Sequence, residues 1–425
     1  MNICVFAPDI PYPPNRGGRA DIWRRILALR LLGHQVMLVC LVEHDGPLAP
    51  SAADLAAVDA VVTARFCFPM RRGPWRTLRQ LALAWRTPWH AATRVPLRNE
   101  RRQLWVLLDG FAPDLMWLDG PWFGHLVLQA LARFSRARLA YRSHNIEHQY
   151  LARQAAVAMR WRDQIAWRMA CWGLARFERR LMDRANAVFD CSMDDLAIWQ
   201  AQGVQRLHWL PPLPELAVTR ASAEAADAAA VAVADAPPIP GEVVFVGNLT
   251  TPNNVRGVEF LLLEVLPLLR ERRPGATVVI VGSQPGAEVR AWAAQTGAAL
   301  RANVEQPMRH MHGAAVLVNP VMTGSGVQVK MLDMLMTDRP IVTTTQGTRG
   351  LPAEVAALLQ VADNASAFAD AVCAALHQGT VDMATRAQVR RQFSVEGLGM
   401  ALLQLAPAVP AGPAGPATAS RLAPR

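Results

Sequence analysis

Short apolar runs, each followed by a loop rich in glycine, proline or asparagine and then by a helically spaced segment, recur along this chain. NICVFA (Asn2 to Ala7), QVMLVCLV, DLMWLD, ARLAYR, VVFVG, TVVIVG and AAVLVNP are the clearest of them. A strand that is apolar at every position is one buried on both faces, the condition of a parallel sheet covered by helices. The alternation therefore predicts an α/β architecture. At 425 residues the chain is long for one domain and comfortable for two, and 52% apolar against 18% charged residues supplies two cores.

The segment most suggestive of chemistry is NPVMTGSGVQVKMLDMLMTD, Asn319 to Asp338. It reads as a strand end, a loop with Gly324, Ser325 and Gly326, and then a helix. Free N–H groups and the positive helix end suit phosphate. Lys330, four residues beyond Gly326, would add a formal charge, and Asp333 falls on the same face three residues later. A nucleoside diphosphate needs those three features: donors and a cation for the phosphates, and an acceptor for the ribose hydroxyls. Ordinary α/β scaffolding also produces such loops.

The run AAVLVNPVMTGSGVQVKMLDMLMTDRPIVTTTQGTRGL resembles the donor-sugar segment of family 4 glycosyltransferases of the GT-B fold. The resemblance implies two Rossmann-like domains facing across a cleft, and transfer, with retention, of a sugar from a nucleotide diphosphate sugar without a metal or other cofactor. It places an N-terminal acceptor-side domain at 1–215, an Ala/Pro-rich linker at 216–240 and a nucleotide-sugar domain at 241–392. A helix at about 393–405 would cross back to the first domain, before a disordered tail at 407–425. It also implies that Gly17 and Gly18, which open the first helix, face the donor phosphates, and that Gly247 and Asn248 open the donor-binding domain. His144 and Asn145 in RSHNIE would line the acceptor side, with Glu147 capping a helix or binding substrate. The chain departs from the family pattern in two places. Asn248 stands where many members have an arginine, and Ser325 and Asp333 occupy the paired-glutamate positions. Lys330 is then the obvious cation for the diphosphate, and Lys330, Asp119 and His144 are the candidates for catalysis.

Three other features have competing readings. Asp119 closes DLMWLD at a strand end, where open α/β sheets bind ligands; it would act as acceptor or base, or merely cap a loop. His144, Glu147 and His148 spell H-x-x-E-H, an inverted zinc-protease signature, but Ser143-His144-Asn145 read as a turn, which would keep the histidines off one helical face. From Met70 to Trp105 nine arginines face one acid, Glu100, with Trp75, Trp85, Trp89 and Trp105 interleaved. That pattern fits an anionic membrane surface or a solvated arginine-rich face, and nucleic acid less, since no binding motif accompanies the charge; the family resemblance favours the membrane.

The net charge of +10 fits phosphorylated substrates or such a surface. Six cysteines without a CxxC pair predict reduced thiols. The N-terminus has no basic region before its short apolar run, and no uncharged stretch approaches the ~18 residues of a membrane span. The expectation is a cytoplasmic protein in contact with the inner membrane face, acting on a saccharide or lipid-linked saccharide in bacterial polysaccharide assembly. The rivals are a non-catalytic sugar-nucleotide or membrane-binding scaffold and a zinc hydrolase.

Overall fold

The computed structural model describes residues 1–14, 17–43, 49–70, 74–83, 87–157, 160–215, 217–219, 237–324 and 326–405. The first sheet contains β1 (Asn2–Ala7), β2 (Gln35–Val42), β3 (Ala64–Pro69), β4 (Leu115–Asp119), β5 (Arg138–Ser143), β6 (Ala187–Asp190) and β7 (Leu207–Trp209). The second contains β8 (Glu242–Asn248), β9 (Thr277–Ser283), β10 (Ala299–Ala302), β11 (Val316–Asn319), β12 (Ile341–Thr343) and β13 (Gln360–Val361). Their orders are β3-β2-β1-β4-β5-β6-β7 and β10-β9-β8-β11-β12-β13. Neighbouring strands pair in parallel throughout, with β1 bonded to both β2 and β4 and β8 to both β9 and β11.

The apolar runs have the burial that parallel sheets demand. Ile3, Val5 and Ala7 turn to one face, against Ile22, Ile26 and Leu29 of the helix Gly17–Leu31. Cys4 and Phe6 turn to the other, against Leu104, Leu108 and Phe123. The second sheet is filled likewise, with Val243 and Phe245 on one side and Val244 and Val246 on the other. Each fully buried Val, Leu or Ile contributes roughly 1.5–3 kcal/mol. The order in which strands are added reverses between β1 and β4 and again between β8 and β11. Crevices form beside the carboxyl ends of strands at such switch points.

After the second sheet the helix Val395–Leu403 returns to the first domain, where Val395, Leu398 and Leu402 join its core. A second junction lies at Gly350: Met193 N–H donates to its carbonyl at 3.0 Å, and its own N–H donates to Asp194 Oδ2 at 3.2 Å. Gly350 has φ +73°, and a Cβ there would lie 2.9 Å from Ser192 Oγ, so this contact needs glycine.

Some expectations change. The basic stretch that follows β5 forms three helices, Glu147–Val157, Trp161–Cys171 and Leu174–Arg184. Gly173, with φ +72°, breaks the last two apart. In the 70–105 region, Trp89 and Trp105 are half-buried and not presented to solvent. Arg71, Arg72, Trp85, Arg86 and the side chains of Trp75, Arg76 and Arg79 lie outside the described residues. So do residues 216 and 220–236 of the expected linker and the whole 407–425 tail. Among the described residues no helix is long and apolar enough to cross a membrane.

Candidate active site

A cleft of about 860 Å³ opens between the carboxyl ends of the two sheets. Gly17, Gly18, Asp21, Arg24, His144 and Asn145 form its first-domain wall. Gly247, Asn248, Asn254, Gly326, Lys330 and Asp333 form the wall opposite. Nine of the residues picked out by sequence thus meet in one cavity, although they come from strand ends and loops far apart in the chain.

The first-domain wall rests on a buried ionic network. Asp21 and Arg25, one helical turn apart, pair at 3.2 Å, and Arg142 on β5 reaches the same Asp21 oxygen at 3.2 Å. Arg25 also binds Asp119 Oδ1 and lies 5.0 Å from the centre of the Trp117 ring. His144 is held from both sides, its Nε2 3.0 Å from Asp119 Oδ1 and its Nδ1 3.3 Å from Asp21 Oδ2. Burial works to raise the Asp21 carboxyl, but the charges of Arg142, Arg25 and His144 outweigh it and hold Asp21 far below the usual range. Asp119 is fully buried and does not line the cleft. It cannot serve as a base toward substrate; it orients His144.

The second-domain wall carries two ionisable side chains, Lys330 and Asp333, among amides and backbone. Lys330 Nζ donates to Asn254 Oδ1 at 2.8 Å and sits 4.4 Å from the centre of the Phe245 ring. Desolvation lowers its pKa to about 7. Asn254 Nδ2 in turn donates to the Asn248 carbonyl at 2.9 Å. Gly247 makes this possible, since a Cβ there would lie 2.9 Å from the Phe245 ring and 3.0 Å from Asn254 Nδ2. The Asn248 side chain is turned to Thr250, accepting from its N–H at 2.9 Å and its hydroxyl at 2.7 Å.

The loop is arranged differently from the expectation. The helix is Val329–Leu335, so Gly324 to Gly326 precede it by several residues and Lys330 is its second residue, not one turn in. Gly326, at φ +69°, faces the first domain, where an added Cβ would lie 3.4 Å from Asn145 Oδ1. Gly324 is exposed and outside the cleft lining, and Ser325 lies outside the described residues. Gly17 abuts the same loop-helix junction: a Cβ on it would meet Val329 Cγ2 at 3.8 Å.

Asp333 lines the cleft but is already engaged. Arg24 Nη1 donates to its Oδ1 at 3.2 Å, and Glu215 N–H donates to the same oxygen at 2.8 Å. Arg24 also binds Glu215 Oε2 at 3.1 Å and the Leu213 carbonyl at 3.1 Å, clasping the first helix, the chain leaving the first domain and the helix Val329–Leu335. Burial raises the Asp333 carboxyl despite Arg24. An acceptor for ribose here is at most its less engaged oxygen, Oδ2.

Glu147 and His148 stand apart from the cleft. Glu147 opens its helix, and it is Glu178, fully buried, that caps this helix end, accepting from Glu147 N–H at 3.1 Å and His148 N–H at 3.2 Å. Burial and the Glu178 charge push the Glu147 carboxyl up to about 8, with Arg94 opposing. His148 Nδ1 lies 2.7 Å from Glu178, whereas His144 points to Asp119 and Asp21. Among the described residues no three His, Cys, Asp or Glu are placed to hold a metal ion.

Sequence reasoning missed Asp21, Arg24, Arg25 and Arg142. Two signals were present: the i, i+4 pair Asp21–Arg25 inside a helical pattern, and an arginine following the apolar Leu139–Tyr141 core of β5.

Residues 240–378 match the family model of group 1 glycosyl transferases. A curated relative, an uncharacterized 44.6 kDa protein in the cps region of Klebsiella pneumoniae, is 28% identical over 135 residues. That match covers 30% of this chain and 35% of the relative, about a third of its length. Among solved structures, Anabaena HepE in complex with UDP superposes with a TM-score of 0.58 at 12% identity, covering 95% of this chain and 99% of that one. S. aureus TarM gives 0.59 at 8% identity, covering 95% and 98%. A glycosyltransferase from Rickettsia africae gives 0.56 at 11% identity, covering 96% and 99%. At these identities the likeness is one of fold, and it extends over both domains.

Proposed function

The chain has the GT-B fold with a group 1 glycosyl transferase match over residues 240–378, and from that premise we propose that it transfers sugar from a nucleoside diphosphate sugar held in the interdomain cleft. The observation that carries the reading is Lys330, a partly desolvated cation on the donor wall facing Gly17 and Gly18 across the cavity. The diphosphate would lie against Lys330 and the backbone at Gly326. The base would take the apolar end near Val304, Pro307 and Met308, and the sugar would point toward His144 and Asn145.

In the reaction an acceptor hydroxyl oxygen bonds to the anomeric carbon while the bond from that carbon to the diphosphate oxygen breaks. Negative charge grows on the departing diphosphate. An ammonium in a poorly solvated wall stabilises that charge more than it would in water, and such preorganised stabilisation is usually the largest catalytic contribution. The carboxylates lining the cleft are Asp21, Asp333 and Glu215, each in an ion pair. That supports a reaction without a carboxylate nucleophile. Lys330 takes the part a metal could otherwise play at the diphosphate, and the reading needs no resident cofactor. Retention of configuration and membership of family 4 follow from the sequence resemblance. The cps-region relative supports a role in surface-polysaccharide assembly, and the acceptor in this reading is a saccharide or lipid-linked saccharide.

A non-catalytic nucleotide-sugar binder is favoured by one observation: Lys330 and Asp333 both already have protein partners. Incubation with UDP-, GDP-, ADP- and TDP-sugars separates the two. Slow release of free nucleoside diphosphate from one donor, accelerated by a saccharide acceptor, is the expected result. Saturable binding of a donor with no release would select the binder.

A further inference from the structure

Cys40 on β2 and Cys67 on β3 stand opposite each other in the parallel register, and their sulfurs are 3.5 Å apart. Neither lines the cleft. Cys40 is fully buried, whereas Cys67 is half-buried on a strand at the edge of its sheet. Arg65 precedes Cys67 by two residues and so projects from the same face of β3. Its Nη1 donates to Cys67 Sγ at 3.2 Å. The rest of the guanidinium is held by Asp59, at the end of the helix Ala52–Asp59, with Nε donating to Oδ1 at 2.7 Å and Nη2 to Oδ2 at 2.8 Å. A two-pronged carboxylate contact fixes the guanidinium plane, which keeps the remaining nitrogen on the sulfur.

Cysteines in a core commonly serve as small apolar filler. Cys4 and Cys191 fit that description, since burial pushes both thiols far up. Cys67 does not. The bond from Cys40 and the Arg65 guanidinium outweigh burial and the Asp59 charge, and they hold the Cys67 thiol below the usual range. The same bond, burial and the Asp9 charge push Cys40 up. One sulfur is thereby set as a nucleophile, and the other keeps its proton beside it. No third His, Cys, Asp or Glu among the described residues joins them as a metal-ligand set.

We infer that Cys40 and Cys67 form a peroxide-reactive dithiol that closes reversibly to a disulfide. The Cys67 thiolate attacks one peroxide oxygen, the O–O bond breaks, and the departing oxygen takes a proton from solvent and leaves as water. Cys67 is then a sulfenic acid. The Cys40 sulfur attacks the Cys67 sulfur, the S–O bond breaks, and the hydroxide leaves as water with the Cys40 proton. Each sulfur gives up one electron, and the peroxide is reduced to water. A disulfide bond is about 2.05 Å long, so closure moves the sulfurs together by about 1.5 Å. Directly paired strands about 4.8 Å apart already lie within the Cα spacing a disulfide accepts. The inference does not depend on the donor reading.

The test treats the reduced full chain with hydrogen peroxide at pH 7, counts thiols after unfolding, and identifies any disulfide from tryptic peptides. Two of the six thiols should disappear, with Cys40 joined to Cys67 and both restored by dithiothreitol. Cys40→Ala should stop at a Cys67 sulfenic acid, trapped by dimedone. Arg65→Gln should raise the pH midpoint of Cys67 alkylation by about one unit. It should also slow the peroxide reaction roughly threefold at pH 7, because about a tenfold loss of thiolate is partly offset by greater nucleophilicity. Arg65→Lys, which keeps the charge, should restore most of the rate. The Arg65 side chain is partly exposed, so these two variants decide the matter even if Cys40→Ala does not fold. The inference is overturned if all six thiols survive peroxide, if Cys67 alone or a different pair is oxidised, or if Arg65→Gln leaves midpoint and rate unchanged.

Discussion

The two domains share a strand order but build their walls of the cleft by opposite means. The first buries a connected set of charges, with Asp21, Arg25, Asp119 and Arg142 locked together behind His144. The second offers amides, glycine backbone, a desolvated lysine, and an Asp333 already paired with Arg24. The contrast separates two tasks. A connected buried ionic network fixes one geometry, because any displaced member leaves a buried charge unpaired. A nearly neutral wall with one under-solvated cation awaits a charge that the ligand itself brings. On the proposed reading the first domain positions and the second recognises an anion.

Substitutions should expose that difference. Arg142→Met removes a fully buried cation from between Asp21 and the Leu210 carbonyl. Breaking a buried pair from one side costs about 3–5 kcal/mol, and urea unfolding should show a loss of that size. Lys330→Met should leave stability unchanged or higher, because Lys330 is destabilised by burial in the free protein. Equal losses in the two variants would erase the distinction between the walls.

A second prediction uses the pKa of Lys330, lowered by desolvation from 10.5 to about 7. Above pH 7 the folded free protein holds this amine neutral while the unfolded chain still holds it charged. The unfolded state then binds more protons, so this group's contribution to stability rises with pH between about 7 and 10.5. Anion binding runs the other way, since it selects the ammonium. Nucleoside diphosphate affinity should fall up to ~tenfold per pH unit above 7, with proton uptake detected by calorimetry in buffers of different ionisation enthalpy. A flat affinity profile with no proton uptake would mean that Lys330 does not meet the diphosphate.

The smallest effect belongs to the first domain outside the cleft. Glu147 is raised from 4.5 to about 8, chiefly by burial. Between those values the unfolded chain has lost the proton that the folded chain keeps, so stability should fall as pH rises through this window and level off above it. Partial exposure of Glu147 to solvent screens the effect. Glu147→Gln should remove this slope from the stability profile while leaving nucleotide binding as it was.

The fold was legible where burial leaves a local trace. NICVFA and QVMLVCLV give β1 and β2 to the residue, because strands covered on both faces are apolar at successive positions. ARFCFP gave no such signal; β3 pairs on its β2 side in an edge position and is mostly half-buried. The break at Gly173 was hidden in a basic, helix-favouring stretch. In the site, Gly17, Gly18, Asn145, Gly326 and Lys330 could be read because they sit at strand ends and loop–helix junctions, where α/β sheets place ligands. The partners of Asp119 could not. Arg25 lies 94 residues away, and only the folded sheet shows that Asp119 faces inward to Arg25 and His144. The depressed Lys330 pKa is equally a tertiary property, since Phe245 and Asn254 are distant in sequence.

The most direct test of the central claim, that the cleft holds a nucleoside diphosphate through Lys330, is a thermal-shift titration with UDP, GDP, ADP and TDP on wild type and Lys330→Ala. Ligand at about a hundred times Kd should add roughly 2.7 kcal/mol to wild type. Loss of one charged hydrogen bond, about 1.5–3 kcal/mol, should weaken the variant roughly 10- to 150-fold. A shift in wild type with one of the four nucleotides, cut to about half or less in Lys330→Ala at the same concentration, is the predicted result. An equal shift in both proteins, or none in either, would contradict it.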